Sequence, residues 1–345
     1  MKTLIIAEAG VNHNGIESLA FELVDVAVEA GADAIKFQTF TAEKVVSIDA
    51  GKADYQTKGV GAGTQFNMLK NLELSKSTHV KLIDYCNQQG IEFMSTPFDC
   101  AAADFLRSLG MKRFKIPSGE ITNYPFVQHI ASFDLPIILS TGMATLDEII
   151  QVVELISSTR KLSGYDRPLA EMLTVLHCTS SYPAALKDVN LRAMGTILET
   201  LKLPVGYSDH TNGILVSTSA VALGAKVIEK HFTLDNTMTG PDHAASLNPV
   251  ELSEMVTQIR DVEVALGSKI KAPSTYEEQM LKIARRGIKV SSDLNAGDRI
   301  CESNIEILRP AVGISPQFHD DIIGLKVARS IKAGSALEWA DVISE

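Results

Sequence analysis

The chain has no apolar run near the roughly twenty residues that a bilayer crossing needs. Its opening Met1-Lys2-Thr3-Leu4-Ile5-Ile6-Ala7-Glu8 meets a carboxylate too early for a secretory signal, and a cytoplasmic protein without membrane association is expected. Cysteine is scarce: Cys86, Cys100, Cys178 and Cys301 lie far apart, with no C-x-x-C pair. That spacing supports neither a zinc site nor a disulfide framework, so reduced and mostly buried thiols are expected. Basic residues are outnumbered, 32 against 42 acidic ones, and the formal charge of −10 comes without any long basic block. Nucleic acid is therefore not an expected partner. Apolar material is not short: 45% hydrophobic and 21% charged residues is an ordinary globular balance, which sets disorder aside. The 345 residues suit one barrel of about 250 residues followed by something small.

Eight short β-rich runs recur at 4–7, 34–37, 92–95, 113–116, 136–140, 173–178, 204–207 and 226–231. Between them lie stretches such as 17–30, 77–89, 146–157 and 214–223, whose apolar residues recur every three and four positions. Strand, helix, strand repeated eight times implies a closed parallel (β/α)8 TIM barrel. The helix-to-strand joints repeat a glycine, at Gly31, Gly110 and Gly224, as left-handed helix caps require. The pattern changes after Ser268. Residues 1–268 are expected to form the barrel, 269–285 a linker with a short charged helix at 276–283, and 286–345 a small β-rich domain. In that domain Lys289-Val290-Ser291-Ser292-Asp293-Leu294-Asn295-Ala296-Gly297 is echoed 37 positions later by Lys326-Val327-Ala328-Arg329-Ser330-Ile331-Lys332-Ala333-Gly334. About 60 residues bury too little surface to be comfortable alone, so the domain is expected to lean on a barrel, its own or a partner's.

Barrel enzymes place their chemistry at the C-terminal strand ends. Here those ends carry Glu8 with Asn12 and His13; Lys36 with Gln38; Ser95 with Thr96; Lys115 with Ser118 and Glu120; Ser140 with Thr141; His177 with Thr179 and Tyr182; Ser208, Asp209 and His210; and Glu229, Lys230 and His231. A single polar strand end is ordinary, but eight converge on one mouth. A lysine on an inner strand costs desolvation unless an anion visits or a carboxylate pairs with it. Hydroxyls of Thr96, Ser118, Ser140 and Ser208 around Lys36 and Lys115 suit a phosphate and a carboxylate, hence a small polyanionic acid. Structural ion pairs between these lysines and Glu8 or Glu120 are the other reading. His210 and His231 end neighbouring strands, with Asp209 and Glu229 nearby, and are expected to grip one ion. Two imidazoles without a third strong ligand leave positions open, which favours a loosely held Mn²⁺ or Mg²⁺ acting as a Lewis acid. His177 and His243 are weaker ligand candidates; His13, His79, His129 and His319 read as structural or surface residues.

These residues sit in a series of motifs. Ile5 to Gly15 (IIAEAGVNHNG), Lys36-Phe37-Gln38-Thr39, Ser95-Thr96-Pro97-Phe98, Lys115-Ile116-Pro117-Ser118-Gly119-Glu120, Ser140-Thr141-Gly142-Met143, His177-Cys178-Thr179, Tyr207-Ser208-Asp209-His210-Thr211, Glu229-Lys230-His231-Phe232-Thr233 and Gly240-Pro241-Asp242 resemble the successive motifs of the sialic acid synthases over nearly the whole chain. The tail resembles the antifreeze-like, or SAF, domain of that family, with Arg309-Pro310 at the matching position. The resemblance implies a transferase that condenses phosphoenolpyruvate with N-acetylmannosamine to give N-acetylneuraminate and phosphate. It implies a homodimer, domain-swapped through the SAF domain. It makes His210 and His231 the metal ligands and gives phosphoenolpyruvate to Lys36, Thr96, Lys115, Ser118, Ser140 and Ser208. Ser180, where the sialic acid synthases carry Asn, joins that set as a departure from the pattern. Glu8, Gln38, Tyr182, Asp242 and Arg309 from the partner chain would face the acceptor sugar or the reacting centre, with Glu8 or Glu120 stabilising charge or activating water. An N,N'-diacetyllegionaminate or pseudaminate synthase using a 6-deoxy diacetamido sugar is the alternative, to which residues 52–56, 65–74 and 240–247 look closer. A metal-dependent pyruvate aldolase would use the histidines without a phosphate cradle, and a non-catalytic binding protein would need neither.

Overall fold

Eight strands alternate between two surroundings, and that alternation shapes the molecule. In the computed structural model, which describes residues 2–343, these are β1 (Leu4–Gly10), β2 (Ala34–Thr39), β3 (Glu92–Pro97), β4 (Phe114–Ile116), β5 (Ile137–Ser140), β6 (Leu173–Cys178), β7 (Val205–Asp209) and β8 (Val227–His231). All are parallel, laddered in the order β3-β2-β1-β8-β7-β6-β5-β4, and β3 lies beside β4 without a ladder, so the barrel is nearly closed. Helices α1 (Glu17–Glu29), α2 (Ala42–Val45), α3 (Asp54–Val60), α4 (Gln65–Asn71), α5 (Lys76–Gln89), α6 (Cys100–Ser108), α7 (Tyr124–Ala131), α8 (Leu146–Leu162), α9 (Leu169–Met172), α10 (Ala193–Leu201), α11 (Leu215–Ala222) and α12 (Pro249–Leu266) connect or follow them. The fold class and each of the eight strands agree with the sequence reading. Gly31, Gly110 and Gly224 take φ of +77°, +81° and +100°, as left-handed caps require. The strands β1, β2, β3 and β7 run on by two or three residues past their expected ends. The physical reason is that their polar ends are enclosed by the barrel, so polarity there does not end a ladder.

Successive strand residues point to opposite faces. Inside the barrel, Ile6, Ala34, Met94, Ile138, Leu176 and Val227 meet in one apolar cluster. Two positions on, on the same face, stand Glu8, Lys36, Thr96, Ser140, Cys178 and Glu229. The interior thus changes from an apolar floor to a polar chamber within one turn of the strand pleat. The intervening residues, among them Ile5, Ile35, Phe93, Leu139, Val175 and Tyr207, belong to the larger core shared with the helices. The interior is full at its floor: a Cβ at Gly206 would lie 2.4 Å from the Val227 carbonyl oxygen and 2.6 Å from Leu176 Cδ2.

Between β7 and β8 the register sets Asp209 opposite Lys230. Both face outward from the barrel interior and both side chains are fully buried, with Lys230 Nζ 3.1 Å from Asp209 Oδ2. Lys230 also donates to the Thr211 carbonyl. Asp209 accepts from Thr211 N at 2.9 Å, Thr211 Oγ1 at 2.8 Å and Ser217 Oγ at 2.7 Å. The next residue on each strand is a histidine, so this pair sets where His210 and His231 emerge.

The thiols are all free, as expected, but only Cys86 and Cys178 are buried. Cys100 opens α6 and Cys301 precedes a short 3-10 turn, and both are exposed, which corrects the expectation of mostly buried cysteines. No helix among the described residues is long and apolar enough to cross a membrane.

The chain divides into two compact units, the first ending at Gly267 and the second opening at Ser268. The second holds α13 (Thr275–Ala284) and two antiparallel pairs, β9 (Gly287–Val290) with β10 (Ile305–Leu308), and β11 (Lys326–Val327) with β12 (Val342–Ile343). The echoed segments are related by a pseudo-two-fold axis. Val290 faces Ile305 as Val327 faces Val342. Gly297 N donates to the Val327 carbonyl at 2.8 Å, its counterpart Gly334 N donates to the Val290 carbonyl at 2.7 Å, and Leu294 and Ile331 bond each other both ways. A core of its own, including Ile288, Val290, Leu294, Ile300, Val327 and Ile331, lies between the two halves.

Replacing Lys230 by Met would leave Asp209 as an uncompensated buried carboxylate. The expected loss of stability is roughly 3–5 kcal/mol, the usual cost of breaking a buried pair. Urea unfolding checks it, and an unchanged midpoint would show that the pair does not hold β7 to β8.

Candidate active site

Twelve of the side chains expected at the mouth line one cavity of about 300 Å³: Glu8, Lys36, Gln38, Thr96, Lys115, Ser118, Ser140, Ser180, Tyr182, Ser208, His210 and His231. That volume is at the lower end for small-molecule sites. The cavity floor is a cluster of four buried charges. Lys115 Nζ donates to both oxygens of Glu229, at 2.7 and 2.9 Å. Lys36 Nζ lies 2.5 Å from Glu8 Oε2 and 3.6 Å from Glu229 Oε2, and donates to Thr96 Oγ1 at 3.1 Å. Ser208 Oγ donates to Glu229 Oε1 at 3.1 Å. Both readings of the lysines are therefore met in part: they are ion-paired, and they still border open space.

Burial works against each of these charges, and the outcome differs from one to the next. It pushes Glu8 up to about 7, because Lys36 offsets only part of the desolvation and the Glu229 carboxylate repels. Glu229 also suffers desolvation, but Lys115 and then Lys36 outweigh it and hold its carboxyl well below the ordinary carboxylate range. Lys36 is likewise desolvated, yet Glu229 and Glu8 raise it above the usual lysine value. Lys115 is lowered by burial, which Glu229 only partly offsets. Two carboxylates driven apart in this way have different duties available to them. Glu229 is a fixed anion, and Glu8 is the group that exchanges a proton near neutrality.

Above the floor stand hydroxyls. Gly142 N donates to Ser118 Oγ at 2.9 Å. A Cβ at Gly142 would lie 2.2 Å from Ser180 Oγ and 2.9 Å from Ser118 Oγ, so glycine there is what lets the two hydroxyls converge. Ser140 Oγ is buried without a hydrogen-bond partner. An anion with several oxygens would satisfy such a set.

The two histidines lie with ring centroids 5.6 Å apart. His210 Nδ1 donates to the Thr179 carbonyl at 2.8 Å, which leaves the lone pair on Nε2, now 3.1 Å from the Tyr182 hydroxyl. His231 Nδ1 is buried with no hydrogen-bond partner and lies 3.8 Å from Asp242 Oδ2. Burial lowers His210 to about 4 and His231 well below the ordinary value. Neutral imidazoles, one with its tautomer set by a carbonyl and one with an orphaned nitrogen, are what a metal ion requires. Among the described residues no group of three or more His, Cys, Asp or Glu side chains gathers in metal-holding geometry. Gly10, at φ +53°, keeps the ring of His231 seated: a Cβ there would lie 3.3 Å from its Cε1 and 3.5 Å from Glu8 Oε1.

Some expected residues are elsewhere. Glu120 is not among the residues that line the cavity. It ends the 3-10 turn Ser118–Glu120, and its carboxylate is turned outward to accept from Asn123 Nδ2 at 2.6 Å. Asp242 is buried behind His231 and pushed up to about 6 by that burial. Arg309 belongs to the second unit, just before Pro310. His177 bonds the Val189 carbonyl at 2.8 Å, and His243 bonds Thr233 Oγ1 at 2.6 Å, so neither reaches the cavity. Two residues at the site go beyond the sequence-derived set. Glu229 reads from sequence only as a neighbour of the histidine pair, although its period-two spacing from His231 on β8 places it on the inner face. Tyr55, on α3, lines the cavity from a crossover segment that no strand pattern locates.

Comparison with known proteins matches this arrangement. The NeuB family model covers residues 23–271 and the SAF domain model residues 285–343. Over 343 residues the chain is 49% identical to the N,N'-diacetyllegionaminic acid synthase of Legionella pneumophila, spanning 99% of this chain and 95% of that one. It is 46% identical over 332 residues to the N,N'-diacetyllegionaminic acid synthase of Campylobacter jejuni, spanning 96% and 97%. The crystal structure of the N-acetylneuraminic acid synthetase from Leptospira borgpetersenii, in complex with citrate, superposes with a TM-score of 0.70 at 34% identity, covering 81% of this chain and 90% of that one. With these motifs on the inner face of its barrel and an SAF domain following in the sequence, the chain is an enzyme and belongs to the NeuB family.

Proposed function

We propose that this protein is an N,N'-diacetyllegionaminic acid synthase, condensing phosphoenolpyruvate with a 2,4-diacetamido-2,4,6-trideoxyhexose and releasing phosphate. The observation that carries the acceptor is the near-full-length likeness to two synthases of that name. It reverses the order of preference drawn from sequence, which placed N-acetylmannosamine first. The charged floor and its hydroxyls support phosphoenolpyruvate as the other substrate.

In this reading Lys36, Lys115 and Thr96, with Ser118, Ser140, Ser180 and Ser208, hold the phosphate and carboxylate of phosphoenolpyruvate, and so fix its C3 towards the acceptor. Glu229 keeps both ammonium groups protonated and in place. The histidines His210 and His231 would hold a divalent ion, Mn²⁺ first and Mg²⁺ second, which supplies Lewis acidity to the acceptor's carbonyl oxygen. Gln38 and Tyr182 face the sugar, and Asp242 backs His231. The new bond joins C3 of phosphoenolpyruvate to the aldehyde carbon of the open-chain sugar, whose oxygen takes up a proton. Positive charge left at C2 is met by water, and phosphate departs with its bridging oxygen by C–O cleavage. Glu8 borders that centre and exchanges protons near pH 7, which suits it to take the proton from the water. A domain-swapped homodimer, with Arg309 supplied by a second copy, belongs to the same proposal. Its support is the apolar exposure of the second unit at Leu308, Val312 and Trp339.

Phosphate release from phosphoenolpyruvate should depend on the diacetamido sugar, and more weakly on N-acetylmannosamine. Turnover of neither acceptor would sink both readings, and pyruvate formation without phosphate release would favour an aldolase. Stripping divalent ions with a chelator should stop phosphate release and added Mn²⁺ should restore it; full activity in the stripped enzyme would remove the metal from the scheme.

A carboxyl raised to about 7 is protonated, and inactive as a base, below that pH. The kcat/KM of the enzyme should therefore fall as pH drops through about 7. Glu8→Gln should abolish that limb and slow kcat by about 10²–10⁴, the usual worth of a positioned base. A variant that keeps the same acid limb would assign it to another group.

A further inference from the structure

The cavity has two kinds of wall. Its floor is ionic, but one side is a series of rings that leads from the histidine pair to the β2–β3 crossover. Tyr182 lies 4.1 Å from the His210 ring and stands edge-on to His231 at 5.8 Å, measured between centroids. Tyr55, on α3, stacks on Tyr182 at 5.1 Å with the two planes 25° apart, and borders the same cavity. The position of α3 is set by a close backbone approach: a Cβ at Gly59 would lie 2.4 Å from the Gly240 carbonyl oxygen. The structure thus brings together the segments around 52–56 and 240–247, far apart in sequence.

The reaction places the acceptor's aldehyde carbon at the histidine pair. From there an open-chain six-carbon sugar extends roughly 6 Å, by ordinary carbon–carbon bond lengths. Laid along this wall of rings, its C5–C6 end comes beside Tyr55. We infer that Tyr55 is an acceptor-specificity residue, its ring receiving the C6 methyl of a 6-deoxy sugar and disfavouring the hydroxymethyl of a 6-hydroxy sugar. This rests on the acceptor reading above. A methyl against an aromatic face gains apolar contact, whereas a hydroxyl there gives up water for ring carbon. Apolar walls reject an added hydroxyl only modestly, by at most about 10²-fold, so a preference and not an exclusion is expected.

The test compares kcat/KM for 2,4-diacetamido-2,4,6-trideoxymannose and its 6-hydroxy counterpart 2,4-diacetamido-2,4-dideoxymannose, each with phosphoenolpyruvate, in the wild type, Tyr55→Phe and Tyr55→Asn. The wild type should favour the deoxy sugar by about 10- to 100-fold. Tyr55→Phe keeps the ring and should keep that preference. Tyr55→Asn should bring the two sugars close to parity, chiefly through a higher KM for the deoxy sugar, while the KM for phosphoenolpyruvate stays put and reports an intact floor. If Tyr55→Asn keeps the wild-type ratio with an unchanged KM for phosphoenolpyruvate, Tyr55 has no such role and the acceptor reading stands. If Tyr55→Phe loses the preference, the ring face is not what reads the sugar, and the inference is overturned without recourse to the Asn variant. A wild type that favours the 6-hydroxy sugar, or turns over neither, overturns the inference and the acceptor reading together.

Discussion

One buried carboxylate allows the rest of the site to exist. Glu229 binds Lys115 through both oxygens and lies 3.6 Å from Lys36. Two ammonium groups enclosed in a barrel would otherwise lose their protons or swing out to water, since desolvation penalises each. Lys115 shows the strain of this: even with Glu229 against it, burial leaves it below the usual lysine value. Because Glu229 takes up so much of the available positive charge, Glu8 has mainly Lys36 to oppose its own burial. Its position near neutrality follows from that imbalance. The buried lysines at the cavity floor and the carboxyl raised to about 7 are thus consequences of one arrangement.

The same ladder that delivers Glu229 also separates duties between adjacent residues. On β7 and β8, Ser208 and Glu229 look into the barrel while Asp209 and Lys230 look out towards the helices, and His210 and His231 follow at the inner rim. A one-residue slip of β8 against β7 would turn Lys230 inward and Glu229 outward, splitting the outward ion pair and removing the floor's shared anion. The outward pair resists that slip because both partners are fully buried and matched to each other.

What could be read in the sequence was whatever obeys the strand period. The eight strands, their polar ends, both lysines and both histidines all lie on that pattern, and the sequence motifs of the NeuB family fall on it too. Glu120 directly follows a motif serine and glycine, and its bond to Asn123 depends on a 3-10 turn that the strand period does not show. Glu229 was visible as a residue but not as the centre of the charges, because that depends on which of several carboxylates meets Lys115 across the barrel. Such pairing is a property of barrel closure and not of local sequence. The two exposed cysteines likewise depend on where a helix begins and a turn falls. Tyr55 falls in the segment 52–56 that only the family resemblance tied to the acceptor; its place at the cavity was not legible because it belongs to a short helix in a long crossover, whose placement rests on the approach of Gly59 to Gly240 and not on periodicity.

This division between strand ends and crossover has a chemical meaning. Groups that must hold charge to within fractions of an ångström stand on strands, where ladder and core fix them. The outer wall of the cavity, at Tyr55, stands on α3, which approaches the loop at Gly240. A change of residue on α3 can alter what the outer cavity accepts without moving Lys36, Lys115 or Glu229, because none of their contacts involve it. The bond-forming end of the reaction and the choice of sugar are therefore separable in this fold. Under the proposed reading, that separation is a physical reason why one barrel fold can serve different acceptor sugars.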